Sequence, residues 1–236
     1  MKKERNYSLS LDMLHKYLDL SLINASDLLS EATSFLSQGR YARTYFLACA
    51  ALEETGKAYL AFSAMGRNLS NPGVETAVKM SFEDHRNKII SAMICLLQKK
   101  EVTEKKLEEF MNLAMHLGRG REKSMYVDIN EKNEITMPSE LIRPKAAFDA
   151  VRLAKDCLET TGEHILKNKP HKFTASQDKF LCINKTKMFN MINTQDFSDF
   201  FIDQLKKKKI NDITEIFSKY HDEYYCKNKT FKQRNR

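Results

Sequence analysis

Apolar residues recur at every third or fourth position over most of the chain, which is the spacing of one face of an α-helix. The first series starts after Ser10, a suitable N-cap, and stops at Gly39. The second runs from about Arg40 to Met65 and is apolar on nearly every side, which is typical of a helix at the centre of a bundle. The pattern therefore predicts one long amphipathic helix followed by one long buried helix.

Two more helices are predicted in the next part of the chain. Asn71-Pro72 begins one of them, because asparagine is a favoured cap and proline suits the first turn, and its periodicity continues to about Gln98. Thr103 caps the next, which we expect to end at the glycines of Gly118-Arg-Gly120. Residues 124–139 lack a helical period and are predicted to form an irregular connection.

A fifth helix follows Pro144, and Pro170 closes the predicted domain. Beyond it the weaker periodicity indicates two short amphipathic helices on either side of the run Lys206–Lys209. We therefore predict a helical domain over 1–169 and a helical extension with a frayed end over 170–236. With 7 Gly and 4 Pro in 236 residues, the chain lacks the turns that a β-sandwich or barrel needs, so the predicted fold is an all-α antiparallel bundle.

Positive charge is concentrated in the predicted extension. Residues 1–169 hold 25 Lys and Arg against 23 Asp and Glu, whereas residues 170–236 hold 14 against 8. A basic segment of this kind suits a polyanion such as RNA, but a solvated basic tail has the same composition. Charge alone leaves both interpretations open.

The five cysteines suggest a reducing compartment. They are far apart in sequence and form no C-x-x-C pair that would indicate zinc or redox chemistry. Cys49, Cys95 and Cys157 lie in apolar helical segments, where a free thiol behaves as a small hydrophobic group. The N-terminal segment lacks the apolar region of a secretion signal, and no apolar stretch is long enough to span a bilayer, so we expect a cytoplasmic protein with no membrane partner.

Charged residues inside the apolar second helix are the most informative feature of the sequence. They are Arg43, Glu53, Glu54 and Lys57. Charged side chains are seldom buried without partners, and a buried ion pair adds little net stability. These residues therefore either fix the helix register through an internal salt bridge or serve a function. Steps of three and four place Arg43, Glu54 and Lys57 on one stripe of the helix.

A second polar cluster, Asp84-His85-Arg86-Asn87-Lys88, lies in the third predicted helix. Because neighbouring helices pack antiparallel, we expect this cluster to approach the charged stripe of the second helix. The predicted catalytic residues are Glu54, Lys57, His85 and Lys88. They provide a proton acceptor, a group that titrates near neutrality and two cations, which is sufficient for metal-independent RNA cleavage. The same set would equally form a phosphate-binding pocket without chemistry.

Other motifs add less. The chain has no H-E-x-x-H, P-loop, G-x-G-x-x-G or G-x-S-x-G motif, so we expect no metal and no cofactor. Arg119 and Arg121 flank a glycine, which would suit an anion clamp, with a capping glycine and solvated charges as the alternative. The predicted phosphate-binding residues are Arg43, Arg119, Arg121, Tyr126, Lys206, Lys207, Lys208 and Lys209, and the predicted supporting residues are Glu53, Asp84 and Asp128.

Three stretches of the chain carry a family resemblance: Tyr41–Lys57 with its E-E-x-G-K signature, His85-x-x-Lys88, and Arg121–Asp128 with its Y-V-D. Over about residues 10–168 the chain resembles the AbiV family of bacterial abortive-infection proteins, within the HEPN superfamily. The resemblance implies a helical HEPN bundle, usually a homodimer, that defends against phage by stopping growth or translation in the infected cell. Carried over by position, the polar signature of the family falls on Glu53, Glu54, Lys57, His85, Lys88, Tyr126 and Asp128.

Many HEPN proteins are metal-independent ribonucleases whose cleft forms between two subunits. They commonly carry Arg four to six residues before His, and the nearest equivalent here is Lys79, with five residues between it and His85. The resemblance implies an effector that cleaves RNA, with a phage-encoded activator as a further partner. The alternative is a non-catalytic toxin that binds RNA, the translation apparatus or a phage protein. The apolar second helix and Met93, Met111 and Met115 also favour a homodimer, because one bundle is not expected to cover so much apolar surface.

Overall fold

The chain folds almost entirely into α-helices, which confirms the predicted all-α class. The computed structural model describes residues 7–98, 103–207 and 212–231. Within those ranges the elements, in chain order, are α1 (Leu11–Ser37), α2 (Tyr41–Ala64), α3 (Pro72–Glu83), α4 (His85–Gln98), α5 (Glu104–Lys123), β1 (Asp128–Ile129), β2 (Ile135–Thr136), α6 (Pro138–Leu141), α7 (Pro144–Lys167), α8 (Ala175–Cys182), α9 (Lys185–Ile192), α10 (Gln195–Lys207), α11 (Thr214–Glu223) and a 3-10 helix (Tyr225–Lys227).

The described residues belong to two compact units. The bundle unit is drawn from Met1–Met65 and Val78–His171, and the C-terminal unit from Gly66–Ala77 and Lys172–Arg236. Each has a core of its own. Aliphatic side chains dominate the core of the bundle unit, whereas aromatic rings dominate that of the C-terminal unit.

Helix α2 is the centre of the bundle unit, in agreement with its apolar pattern. It packs against α1, α4, α5 and α7. Its fully buried residues include the alanines Ala48, Ala58 and Ala61, and such small side chains allow neighbouring helices to approach closely. Within the described ranges, no helix combines the length and the hydropathy that crossing a bilayer requires.

The third predicted helix is two helices in the structure. Since α3 ends at Glu83 and α4 begins at His85, the prediction of one helix from Pro72 to about Gln98 was wrong at Asp84. The Asp84 carboxylate accepts a hydrogen bond from the N–H of Asn87 (3.0 Å), which is the contact of a helix N-cap. The predicted polar cluster therefore begins a helix.

The glycines of α5 do not end it. The helix continues to Lys123, so the predicted end at Gly118-Arg-Gly120 was wrong. It stops where the Ser124 hydroxyl donates a hydrogen bond to the Arg121 carbonyl (2.6 Å). The connection over 124–139, predicted to be irregular, contains the hairpin β1–β2 and the start of α6.

In the part that the structure describes, the C-terminal unit contains α8 to α11, two helices more than predicted. The two expected ones are α10 and α11. The other two begin at side-chain caps, Thr174 for α8 and Asn184 for α9, whose oxygens accept hydrogen bonds from first-turn N–H groups. Their apolar periodicity is too weak to have indicated them, because the aromatic core is built mainly from α10 and α11.

Candidate functional site

Three basic side chains, those of His85, Lys88 and Arg121, meet around the carboxylate of Glu53, and we call these four residues the Glu53 hub. Oε2 of Glu53 lies 2.7 Å from Nδ1 of His85 and 2.9 Å from Nζ of Lys88. Oε1 lies 2.8 Å from Nε of Arg121. One acidic group from α2 thus faces two basic groups from α4 and one from α5, so the hub carries net positive charge.

The hub extends from the interior of the bundle unit to its surface. The side chains of Glu53 and Lys88 are 7% and 6% exposed, whereas His85 is 57% exposed. Desolvation of a buried ion pair roughly offsets its attraction, so the Glu53–Lys88 pair adds little net stability. His85 is the part of the hub that a substrate reaches most easily.

Gly56 brings α4 against α2 at the hub. A Cβ atom placed on Gly56 would lie 1.8 Å from the backbone oxygen of Lys88, far inside van der Waals contact. Glu53 lies one turn before Gly56 on the same face of α2, within reach of the first turn of α4. The glycine of the E-E-x-G-K signature therefore serves packing, and it sets the distance between the carboxylate and the α4 residues.

A second close crossing positions Arg121. A Cβ atom on Gly120 would lie 2.5 Å from the hydroxyl oxygen of Tyr45, so α5 passes directly over α2 at this point. Tyr45 lies two turns before Glu53 on the same face of α2. The crossing therefore holds the last turn of α5, which carries Arg121, against the side of α2 that presents the carboxylate.

Arg121 is held less firmly than His85 in the hub. Its Nε and Oε1 of Glu53 are both buried, and neither has a hydrogen-bond partner among the described residues, although they are 2.8 Å apart. Their contact is therefore an ion pair without the alignment of a hydrogen bond, whereas His85 forms a hydrogen bond with Oε2 (2.7 Å). Because alignment contributes much of the strength of such contacts, Arg121 loses less than His85 by turning toward an anion.

The cysteine beside the hub is not a nucleophile. Cys49 is fully buried, and its Sγ lies 3.9 Å from the carbonyl oxygen of Leu117. Burial raises the pKa of the Cys49 thiol to about 12, with the charge of Glu53 adding to the increase and that of Arg121 opposing it. Since the thiolate is the reactive form, Cys49 is an inert thiol at neutral pH.

Glu54 and Lys57 form a separate pair. Nζ of Lys57 donates a hydrogen bond to Oε1 of Glu54 (2.5 Å), and both side chains are partly exposed. Burial, together with the nearby charge of Glu54, raises the pKa of Tyr17 on α1 to about 12. Successive residues of a helix point about 100° apart, so Glu53 and Glu54 face different neighbours. The carboxylate that joins the α4 residues is Glu53, and the catalytic role of Glu54 and Lys57 stays a prediction.

Three other predicted phosphate-binding residues lie on the surface of the bundle unit. Arg43 is exposed and lines a pocket with Arg40 and Met137, while Arg119 is exposed on α5. Tyr126 is exposed just before the hairpin. The ionic contacts of Glu53 among the described residues are with His85, Lys88 and Arg121, so the roles of these three residues stay predictions.

Lys207 of the predicted run and two of the predicted supporting residues, Asp84 and Asp128, have contacts of their own outside the Glu53 hub. Lys206 and Lys207 end α10, where Lys207 pairs with Asp203 (2.8 Å), and Lys208 and Lys209 lie outside the described residues. Asp84 caps α4, and Oδ1 of Asp128 accepts a hydrogen bond from the N–H of Ile129 (2.8 Å). Glu53, predicted only as a supporting residue, is the centre of the ionic contacts.

The hub has the chemistry of an acid–base site next to an anion site. A carboxylate bonded to Nδ1 of a histidine fixes the tautomer of the ring and leaves Nε2 for proton transfer. Guanidinium and ammonium groups at the same place favour phosphate. In residues 7–98, 103–207 and 212–231, no three His, Cys, Asp or Glu side chains are grouped so that they could hold a metal ion.

Comparison with known proteins identifies one family. Residues 13–159 match the family model HEPN_AbiV, described as AbiV. No curated protein matches the chain, and no solved structure does. The matched range includes every residue of the Glu53 hub.

Proposed function

The chain belongs to the AbiV family of the HEPN superfamily, and from this premise we propose that it is an abortive-infection effector that cleaves RNA at the Glu53 hub without a metal ion. The observation that carries the proposal is the 2.7 Å contact between buried Glu53 and Nδ1 of exposed His85. A carboxylate in this position orients the imidazole and holds it in the tautomer that carries its proton on Nδ1. The ring is then prepared to accept a proton at Nε2.

In the proposed reaction, Nε2 of His85 removes the proton from a ribose 2′-OH. The 2′ oxygen attacks the adjacent phosphorus, and the bond from phosphorus to the 5′ oxygen breaks. The products are a cyclic 2′,3′-phosphate and a 5′-hydroxyl, which receives a proton from His85 or water. A target that carries 2′-hydroxyl groups follows from this chemistry, so DNA is not a substrate.

The two cations of the hub have different roles in the proposal. Lys88 is buried and bonded to Glu53, so it positions the carboxylate and does not touch the substrate. Arg121 is more exposed and loosely held, so its guanidinium turns toward the phosphate as negative charge develops on it. Lys57, which is partly exposed, is a further candidate contact for the RNA backbone.

Cleavage is tested with purified protein and total cellular RNA in EDTA. We expect discrete fragments from the wild type and a loss of at least about 100-fold in cleavage rate for His85→Ala, since general acid–base catalysis contributes about that much or more. Arg86→Ala is the matched control, because it removes a charged, exposed side chain from the next position of the same helix and keeps the hub.

Because a phage-encoded activator was among the partners expected from the sequence, the assay is repeated with an extract of infected cells. Intact RNA in both conditions, with translation still inhibited by the protein, would contradict catalysis. It would favour the second candidate function, a non-catalytic toxin that binds RNA, the ribosome or a phage protein. The support for that candidate is the excess of positive charge over 170–236, including the exposed Lys206 and Lys207.

We also propose a homodimer, through the hairpin region of the bundle unit. The apolar side chains of α2 are buried or half-buried, Met93 is buried and Met115 is half-buried, so none of them is exposed enough to supply the surface expected from the sequence. The side chain of Met111 lies outside the described residues. The segment around the hairpin instead exposes six large apolar side chains: Tyr126, Val127, Ile129, Ile135, Met137 and Leu141. Such a concentration is typical of an interaction surface.

Light scattering is expected to give twice the chain mass at micromolar concentration. Ile135→Lys, which places a charge in the proposed interface, should shift the mass toward the monomer. Leu166→Lys is the control, because Leu166 is 87% exposed on α7, outside this segment, and its replacement should leave the mass unchanged. A monomer mass for the wild type over the whole range would refute the dimer.

A further inference from the structure

A thiol, an imidazole, a carboxylate and an ammonium group lie together in the C-terminal unit, outside the range of the family match. Sγ of Cys226 lies 3.3 Å from Nε2 and 3.6 Å from Nδ1 of His221. Nδ1 of His221 lies 3.2 Å from Oδ1 of Asp222, and Lys179 of α8 forms an ion pair with the same carboxylate. From this geometry we propose that Cys226 is a modification site whose thiol exchanges with low-molecular-weight disulfides.

The neighbours of Cys226 prepare His221 to accept the thiol proton. The contact between Nδ1 and Asp222 favours the tautomer protonated at Nδ1, which leaves Nε2 as the acceptor. Burial alone would raise the pKa of Asp222, but hydrogen bonds from Lys179 and His221 outweigh it and hold the pKa below its ordinary value. The ring of Tyr225 stacks on His221, with centroids 6.1 Å apart and planes 22° apart, which restrains the imidazole.

The exchange needs only the disulfide as co-reactant. The proton of Cys226 moves to Nε2 of His221, and the resulting thiolate attacks one sulfur of the disulfide. A new bond forms between Sγ and that sulfur while the original S–S bond breaks. The second sulfur leaves as a thiolate and takes the proton back from Nε2 of His221, directly or through water, which restores the neutral imidazole. Cys226 is exposed, so a low-molecular-weight disulfide can reach its thiol.

The other four cysteines provide internal references. Cys49, Cys95 and Cys157 are buried, and burial raises the pKa of Cys157, like that of Cys49, to about 12. Cys182 is exposed like Cys226, but burial of its thiol and the charge of Asp178 raise its pKa, against the opposing effect of Arg67. Cys182 is therefore an accessible thiol with a raised pKa, which makes it the reference for Cys226.

The size of the expected effect follows from thiol chemistry. An ordinary thiol is about 3% ionised at pH 7, so a proton acceptor increases the thiolate fraction by no more than about 30-fold. A more acidic thiol is a weaker nucleophile, which removes part of that gain. We therefore expect Cys226 to react about three- to tenfold faster than Cys182.

The test uses the full chain and oxidised glutathione at pH 7. Intact mass spectrometry follows the extent of reaction, and peptide mapping assigns it to each cysteine. We expect the first mixed disulfide at Cys226. His221→Gln, which keeps a polar side chain of similar size but cannot take the proton, should slow the reaction of Cys226 to about the rate of Cys182 and leave Cys182 unchanged.

Asp222→Asn is the second variant, and it keeps the proposal testable if His221→Gln disturbs folding of the C-terminal unit, which faster amide hydrogen exchange in α10 and α11 would reveal. It should also slow Cys226, because the imidazole loses the carboxylate that orients it. Equal rates at Cys226 and Cys182 in the wild type, or an unchanged rate at Cys226 in both variants, would overturn the proposal. Neither result bears on RNA cleavage, because the bundle unit is not altered.

Discussion

Replacing Gly56 with alanine is expected to destabilise the bundle unit by about 3 kcal/mol or more, because the new methyl group meets a backbone atom that cannot turn aside. The contact would be 1.8 Å, to the carbonyl oxygen of Lys88. Relief requires α4 to move away from α2, which also separates His85 and Lys88 from Glu53. The substitution should therefore abolish the function of the hub as well as lower stability.

Alanine substitutions at two other glycines of the bundle unit, Gly120 and Gly118, should have smaller effects, so the three variants can be ranked by their expected change in stability. Gly120→Ala meets the side chain of Tyr45 at 2.5 Å, and a side chain gives way more easily than a backbone, so its effect should be smaller than that of Gly56→Ala. Among the described residues, no atom apart from the chain neighbours of Gly118 and the adjoining backbone of α5 lies within 4 Å of a Cβ added to Gly118. Because alanine favours a helix over glycine by about 1 kcal/mol, Gly118→Ala should stabilise the protein slightly.

The series is measured by amide hydrogen exchange of α2 and α4, which reports on opening of the bundle unit itself in a chain with two compact units. Protection should increase for Gly118→Ala, decrease for Gly120→Ala and decrease most for Gly56→Ala. If Gly56→Ala kept wild-type protection, the close approach of α4 to α2 would be wrong, and with it the geometry of the hub.

The sequence predicted the helices of the bundle unit well wherever burial alone decides the pattern. In α1, α2 and α7 the apolar residues of the helical repeat are the ones that the fold buries. The observed bounds of these three helices are therefore close to the predicted ones. The glycines of α5 misled the prediction because glycine has two uses in helices. It ends a helix by adopting a left-handed conformation, or it allows a neighbour to approach, and Gly120 serves the second use. The pattern around a glycine does not separate the two without knowledge of the partner helix.

The sequence contains enough information to prefer Glu53 over Glu54 as the central carboxylate, but not enough to predict its contact with Arg121. Stepping through α2 by three and four from Arg43 selects Glu54, whereas stepping from Tyr45 through Cys49 selects Glu53 and then Gly56. A glycine on an otherwise apolar face marks the side where another helix crosses closely. An acidic residue on the same face as Gly56 therefore points toward the crossing helix. On that ground, Glu53 could have been predicted as the central carboxylate in place of Glu54. Its link to Arg121 depends on where α5 crosses, which no local pattern encodes.

Replacing Glu53 with glutamine is expected to destabilise the bundle unit by about 3 to 5 kcal/mol, because it leaves a buried ammonium group without a counter-charge. That group belongs to Lys88, which is 6% exposed. The amide keeps the size of the carboxylate, so the loss comes from charge and not from a cavity. Glu54→Gln is the matched control: its partner Lys57 is 22% exposed, water replaces part of the lost interaction, and the effect should be about 1 kcal/mol or less.

A double substitution separates the charge effect from a general loss of packing. Lys88→Met removes the ammonium group, and a buried ion pair replaced by apolar groups of similar size is often neutral in stability. Glu53→Gln with Lys88→Met should therefore recover most of the hydrogen-exchange protection that Glu53→Gln alone loses, while RNA cleavage stays absent because His85 lacks its carboxylate. If the double variant were no more protected than Glu53→Gln, the ammonium of Lys88 would not be the source of the instability. A hub that kept full stability after Glu53→Gln would show that its charges are not buried together, and the proposed orientation of His85 would lose its basis.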